Sequence, residues 1–373
     1  MPVPWRLSRC GMRARLPLLL AALLLAALAT PGSAAPARAL PSLAAIDDVR
    51  GVVYSNANRP LPLLLPDLPR LRAIGVNHVT LYVYLAVASP TASAVTRGFT
   101  TPTDAELGLV VDAVHAAGMT VAVTPLPWWF GGTAWRGGFQ PTDRAAFFDS
   151  WRFHVNHYAE LSEQHDVELF SIGTEQNSLH GETAQWRRTA AEARERFSGP
   201  LTYMAPVNAN SLGTVTWWDA VDVVSVSPYF SVSQQAEPGY AEIRGTWQGY
   251  GMQVLRELSR TTGRKVLIAE TGYVSAQFLG RAPHVDKPST RLALKSQAEA
   301  YRAVLDAIGA TPDRSSFLLG IAWWSWDPVF SGPADLSFSP RGKPAECVLA
   351  QQWATGPART LADLVPCETL GGA

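Results

Sequence analysis

The chain has 373 residues, 47% hydrophobic and 17% charged, with 31 basic and 31 acidic side chains and 3 cysteines. That balance excludes a disordered or collagen-like chain, a miniprotein built on disulfides and a nucleic-acid binder relying on bulk positive charge. A sizeable core is available, and the surplus of 13 tryptophans has to be explained by position.

Arg6, Arg9, Arg13 and Arg15 precede an apolar run over 16–29, and small residues follow at Ser33, Ala34, Ala35 and Ala37. This is the layout of a secretory signal peptide over 1–37. The run is short for a bilayer span; an uncleaved anchor is the competing reading. Cleavage near Ala37 removes those four arginines and no acid, so the mature protein is mildly acidic. It is expected to be secreted or periplasmic, with no nucleic-acid partner and no membrane attachment after cleavage. Loss of Cys10 leaves Cys347 and Cys367, which an oxidising compartment is expected to join, tying the tail to the last helix.

After a linker over 38–48, eight short apolar runs read as strands: 49–55, 76–84, 119–124, 167–174, 201–207, 221–227, 265–271 and 318–325. Near-continuous runs of this kind fit a parallel sheet covered on both faces. Helical patterns lie between them at 67–74, 104–117, 143–164, 183–197, 241–261 and 289–308, with only a short turn between the fifth and sixth strands. Thr103-Asp104-Ala105-Glu106 is a capping box, and Gly118 and Gly199 stand where helices end and a left-handed cap is expected. Eightfold alternation of strand and helix predicts an α/β fold, a single-domain (β/α)8 TIM barrel over 49–373 with a C-terminal tail. The competing open doubly wound sheet should carry a glycine-rich turn after its first strand, and here that strand runs into Tyr54-Ser55-Asn56-Ala57-Asn58.

Barrel chemistry gathers at the C-terminal ends of the strands. The fourth run ends in Glu175 and the seventh in Glu270, so the two carboxyls face one another across the mouth. Glycoside hydrolysis needs such a pair: one group protonates the departing oxygen, and the other attacks or activates water. Tyr229 ends the sixth run and is a candidate to orient the nucleophile. Trp128, Trp129 and Trp135 follow the third strand, and Trp324 and Trp326 close the eighth on one alternating face, so these five are candidates to stack on sugar rings. Asn208, past the fifth strand, is a candidate hydrogen-bond partner for a sugar. Trp151, Trp186, Trp217, Trp218, Trp247 and Trp353 fall in or near helices and are assigned to packing. The seven histidines are scattered, His154 and His157 reading as a packing pair, so no metal and no cofactor is expected. A serine-hydrolase elbow is missing.

Ile172-Gly173-Thr174-Glu175, then Ile268-Ala269-Glu270-Thr271-Gly272-Tyr273, then Trp324-Ser325-Trp326 resemble the retaining glycoside hydrolases of clan A, most of all family 113, which contains β-1,4-mannanases. The likeness extends through Tyr203, Trp218-Asp219, Asp222, Tyr229, Trp247 and Gln297 to Tyr301. It implies Glu175 as acid/base, Glu270 as nucleophile and a carbohydrate substrate, with β-mannan favoured. Thr174 stands where many clan A members place Asn. Double displacement requires carboxyls roughly 5 to 5.5 Å apart. Environment is expected to leave Glu175 protonated at rest and Glu270 ionised by hydrogen bonds from neighbours such as Tyr229. A non-catalytic sugar-binding barrel and a transglycosylase are the alternatives.

Overall fold

The computed structural model describes residues 41–55, 57, 59–207, 212–329 and 334–355. The expected signal peptide and residues 38–40 of the expected linker therefore lie outside the described residues. Eight parallel strands form the barrel: β1 Val49–Tyr54, β2 His78–Val87, β3 Thr120–Trp128, β4 Leu169–Thr174, β5 Leu201–Pro206, β6 Val223–Ser227, β7 Val266–Thr271 and β8 Leu318–Trp324. Each pairs with its chain neighbours, and β1 pairs with both β2 and β8, which closes the eight strands into a barrel. All eight expected strands are present. A short strand, Val95–Arg97, adds antiparallel to the end of β2 and was not legible as a separate element.

The helices are α1 Leu68–Ala73, α2 Asp104–Ala116, α3 Arg144–Gln164, α4 Thr183–Arg194, α5 Tyr240–Thr246, α6 Met252–Thr262, α7 Leu294–Gly309, α8 Arg314–Phe317 and α9 Pro344–Trp353. The capping box at Thr103 and Glu106 is formed in full. Gly118 is left-handed at φ +74°. Gly199 is not a left-handed cap: a Cβ there would stand 2.5 Å from the Phe197 ring, so its lack of a side chain serves close packing instead. The helix expected over 241–261 is interrupted by a π-helical turn at Trp247–Gly251. Gly249 and Gly251 weaken the regular helix there, and the wider turn buries Trp247, whose indole donates to Tyr273 Oη at 2.8 Å.

Alternation along the strands sorts side chains into an outer core and three interior layers. Outward residues such as Val79, Leu81, Val121, Val123, Val224 and Ile268 meet the helices in one large cluster that also holds Trp151, Trp186, Trp217, Trp218, Trp247 and Trp353. Inside, the base of the barrel is plugged by Val49, Ala122, Leu169, Val223, Leu267 and Leu319, with Ile46 beneath them. Above the plug, Thr80, Thr124, Ser171, Thr202 and Ser225 line a small cavity. The mouth is aromatic, with Tyr82, Tyr84, Leu126 and Met204 in contact with Trp128, Phe130 and Trp324. His154 and His157 are structural, bonding to Val95 O and to Asp104 respectively.

On the outside, fully buried Glu346 of α9 accepts two hydrogen bonds from Arg70 of α1, one of them at 2.6 Å, and ties the last described helix to the first. Cys347 is buried in α9. Cys367 lies outside the described residues.

Candidate active site

Both glutamate-bearing strands depart from regular register at their carboxyls, β4 between Ser171 and Thr174, just before Glu175, and β7 between Ile268 and Thr271, a stretch that contains Glu270. A local irregularity re-aims the side chain that follows it. On β7 this accounts for Glu270 reaching the mouth although its neighbour Ala269 also faces inward. Glu175 adopts φ +52°, a left-handed conformation that disfavours its side chain and is held by the hydrogen bond from its own N–H to Met204 O at 2.8 Å.

The Glu270 carboxyl is buried and takes one hydroxyl on each oxygen. Tyr82 of β2 donates to Oε2, and Tyr229, just past β6, donates to Oε1 at 2.9 Å. The Glu175 carboxyl is equally buried. Its Oε2 accepts from the Trp135 indole at 3.0 Å and from the Arg136 guanidinium at 2.8 Å, and its Oε1 accepts from Ser227 at the end of β6. Ser227 and Tyr229 are two residues apart, so one strand end serves both carboxyls.

The two acids share one electrostatic site. Burial, then the negative charge of Glu175, push Glu270 up to about 7 against the opposing pull of Arg136 and the two tyrosine hydroxyls. Glu270 is raised because two phenols do not offset its removal from water. The Tyr82 and Tyr229 phenols are themselves raised well above 10, by burial and by Glu270, and stay protonated donors.

An aromatic arc leads away from Glu270. Tyr82 lies 5.6 Å from Trp324 and 6.3 Å from Tyr84 between ring centroids; Tyr84 meets Trp128 edge-on at 5.4 Å. Phe130 joins the same cluster and touches Phe99 at 4.7 Å, whose ring is 81% exposed at the rim. Trp135 is 46% exposed, and a Cβ on Gly137 would lie 2.3 Å from its ring, so that glycine admits the indole to its place over Glu175.

Of the sequence candidates, Glu175, Glu270, Tyr229, Trp128, Trp135 and Trp324 are thus brought to one mouth. Trp129 is not among them: it folds over Gly131 and Gly132 of its own loop and packs on the outer core. Trp326 does not line the mouth either. It is 1% exposed, and its indole donates to Asp67 Oδ2 at 2.8 Å. Strand β8 ends at Trp324, so the period of two no longer governs residue 326. Asn208 lies outside the described residues. The sequence reading missed Tyr82, Ser227 and Arg136. The first two were findable, since Tyr82 faces inward on β2 and Ser227 shares a face with Tyr229. Arg136 sits on a loop, where no periodicity applies.

Several other residues of the resemblance hold this site from behind. Tyr203 Oη accepts from Gln176 N at 2.9 Å and bonds His180, fixing the residue after Glu175. Thr271 donates to Pro228 O at 2.8 Å, and Gln297 donates to Tyr273 O at 2.9 Å, fixing the segment after Glu270. A Cβ on Gly272 would stand 2.2 Å from Trp324 O, which accounts for the glycine in that motif.

A closed parallel barrel with a carboxyl pair at its C-terminal rim defines a barrel glycoside hydrolase. The chain belongs to glycoside hydrolase family 113, whose model matches residues 65–335. It is similar in structure to a GH113 β-mannanase from Alicyclobacillus acidocaldarius solved in complex with ManMIm, with 26% identity, a TM-score of 0.71, and 83% of this chain and 98% of that one covered. A GH113 β-1,4-mannanase is similar at 19% identity and a TM-score of 0.72, covering 83% and 99%. A GH5_18 protein from Bifidobacterium longum, solved with Manβ1-4GlcNAc, shares the fold at 13% identity and a TM-score of 0.55, covering 86% and 79%. No curated protein matches the chain by sequence.

Proposed function

We propose that the protein is a secreted retaining β-mannanase in which Glu270 is the nucleophile and Glu175 the acid/base. The observation that carries this reading is the electrostatic sharing of one buried site by two glutamates from the ends of β4 and β7, with hydroxyl donors on both. Family membership supports glycoside hydrolysis, and the mannanases similar in structure favour β-linked mannose over other sugars. The signal-like leader supports export to a secreted or periplasmic location, where Cys347 and Cys367 are proposed to pair.

Glu270 attacks the anomeric carbon in its ionised form while Tyr82 and Tyr229 hold both oxygens in line. Glu175 passes a proton to the departing glycosidic oxygen, and the glycosyl-enzyme is then released by water that Glu175 deprotonates. Trp324, Trp128, Phe130 and Phe99, arranged around the buried rings of Tyr82 and Tyr84, offer apolar faces along which successive sugars stack.

The test is a screen of the mature protein against β-mannan, β-glucan, xylan and aryl β-glycosides, with Glu175→Gln and Glu270→Gln as controls. Turnover should appear on mannan with the β-anomer formed first by NMR. Glu270→Gln should remove it, and Glu175→Gln should slow it by about 10²- to 10⁴-fold. Activity surviving both changes, or an α-anomer formed first, would reject the mechanism.

A further inference from the structure

We propose that Arg136 is a positioning residue that holds Glu175 as a carboxylate, favouring the half-reaction in which this glutamate takes a proton over the one in which it gives a proton. The inference rests on the assignment of Glu175 as acid/base and deepens it.

Arg136 is 6% exposed and anchored twice, with Nε on Thr174 O at 3.1 Å and Nη2 on Glu175 Oε2 at 2.8 Å. The Trp135 indole reaches that same oxygen at 3.0 Å. Guanidinium and indole N–H groups only donate, so a proton on Oε2 would face two donors and no acceptor. Oε1 meets the Ser227 hydroxyl, which is free to turn and accept instead. Protonated Glu175 must therefore carry its proton on Oε1, or the Trp135–Arg136 segment must let go of Oε2. The other titratable groups acting on the site are Glu270 from β7 and the phenols of Tyr82 and Tyr84 from β2, Tyr203 from β5 and Tyr229 from just past β6. Glu270 opposes a second negative charge, the phenols are neutral, and Arg136 supplies the positive charge.

The chemistry gives this placement a direction. As Glu270 bonds to the anomeric carbon and the glycosidic C–O bond breaks, the proton of Glu175 moves to the leaving oxygen. As water bonds to that carbon and the bond to Glu270 breaks, Glu175 takes the water proton back. By stabilising the carboxylate, Arg136 raises the fraction of Glu175 in the form from which the second transfer starts and lowers the fraction that carries the proton needed by the first.

The experiment is a 13C NMR titration of protein carrying [δ-13C]glutamate, with the two carboxyl signals assigned through Glu175→Gln and Glu270→Gln. In Arg136→Gln the Glu175 midpoint should rise by about one pH unit or more. Arg136→Lys should hold it near the parent value, and Trp135→Phe, which removes a donor but no charge, should move it less than Arg136→Gln. Arg136→Met, which keeps the apolar stem, serves as the neutral variant if the glutamine form does not fold. The readout needs no turnover, so a parent protein inactive on every glycoside would count against the proposed function while the titration still judges Arg136. In kinetics, the neutral variant should lose more kcat on 2,4-dinitrophenyl β-mannobioside, whose leaving group needs no proton, than on the phenyl analogue. An unmoved midpoint in a folded neutral variant, or equal losses on the two substrates, would overturn the proposal.

Discussion

Glu270 is a carboxyl that the folded chain would rather keep protonated. In the unfolded chain it loses its proton near the ordinary 4.5, and in the fold burial and Glu175 delay this to about 7. Between those values the folded state holds more proton than the unfolded one, so stability falls as pH rises and levels off above 7. Glu270→Gln should therefore stabilise the protein by up to about 3 kcal/mol at pH 8 and by almost nothing at pH 4. Thermal melts across that range check the slope, and a gain independent of pH would point to packing rather than charge. In the enzyme the same ionisation should set the acid limb of kcat/KM, which profiles on an aryl glycoside would place near pH 7. The acids themselves were legible because each ends an apolar strand. Their partners were less so: Tyr82 and Ser227 lie in strands whose inward face is readable, whereas Arg136 approaches from a loop.

At the scale of elements, the end of β8 separates what alternation reads from what it does not. Trp324, the last strand residue, faces the mouth beside Tyr82, while Trp326 turns to Asp67 beneath Arg341. Trp326→Ala should accordingly cost about 3 to 5 kcal/mol of stability. Trp324→Ala should cost much less in stability and far more in kcat/KM. Denaturant unfolding and kinetics on both variants check the contrast. The rim strand Val95–Arg97 is followed, after Gly98, by exposed Phe99, so Phe99→Ala should lower kcat/KM on long oligosaccharides by up to about tenfold and leave the shortest substrates unaffected. Equal losses at every chain length would remove Phe99 from the cleft. The rim strand went unread because three residues with two exposed carry too little pattern. The π-helical turn went unread because the buried series Ile243, Trp247, Met252, Leu255 and Leu258 departs from helical spacing by a single residue, between Trp247 and Met252.

For the whole molecule, the eight strands were legible because a closed parallel sheet needs apolar residues on both faces of every strand, and such runs stand out. Barrel closure follows from their number and order. The ties between distant helices did not show, since nothing in the spacing of Arg70 and Glu346 announces that they meet. Glu346→Ala removes the carboxyl that accepts from Arg70 and from Gly342 N and should cost about 1 to 3 kcal/mol. Arg70→Ala on that background should add little more, and a double-mutant cycle measures the difference.

Five short hydroxyl side chains, Thr80, Thr124, Ser171, Thr202 and Ser225, occupy the waist of the barrel, where branched aliphatic residues are usual. Little apolar area is buried there, and cohesion resides in the annulus between strands and helices. The hydroxyls bond within the barrel, Ser171 to Gly173 O at 2.8 Å and Thr202 to Ser225 at 2.7 Å, so the two carboxyls stand over a polar floor whose redesign must replace hydrogen-bonded partners together rather than one at a time.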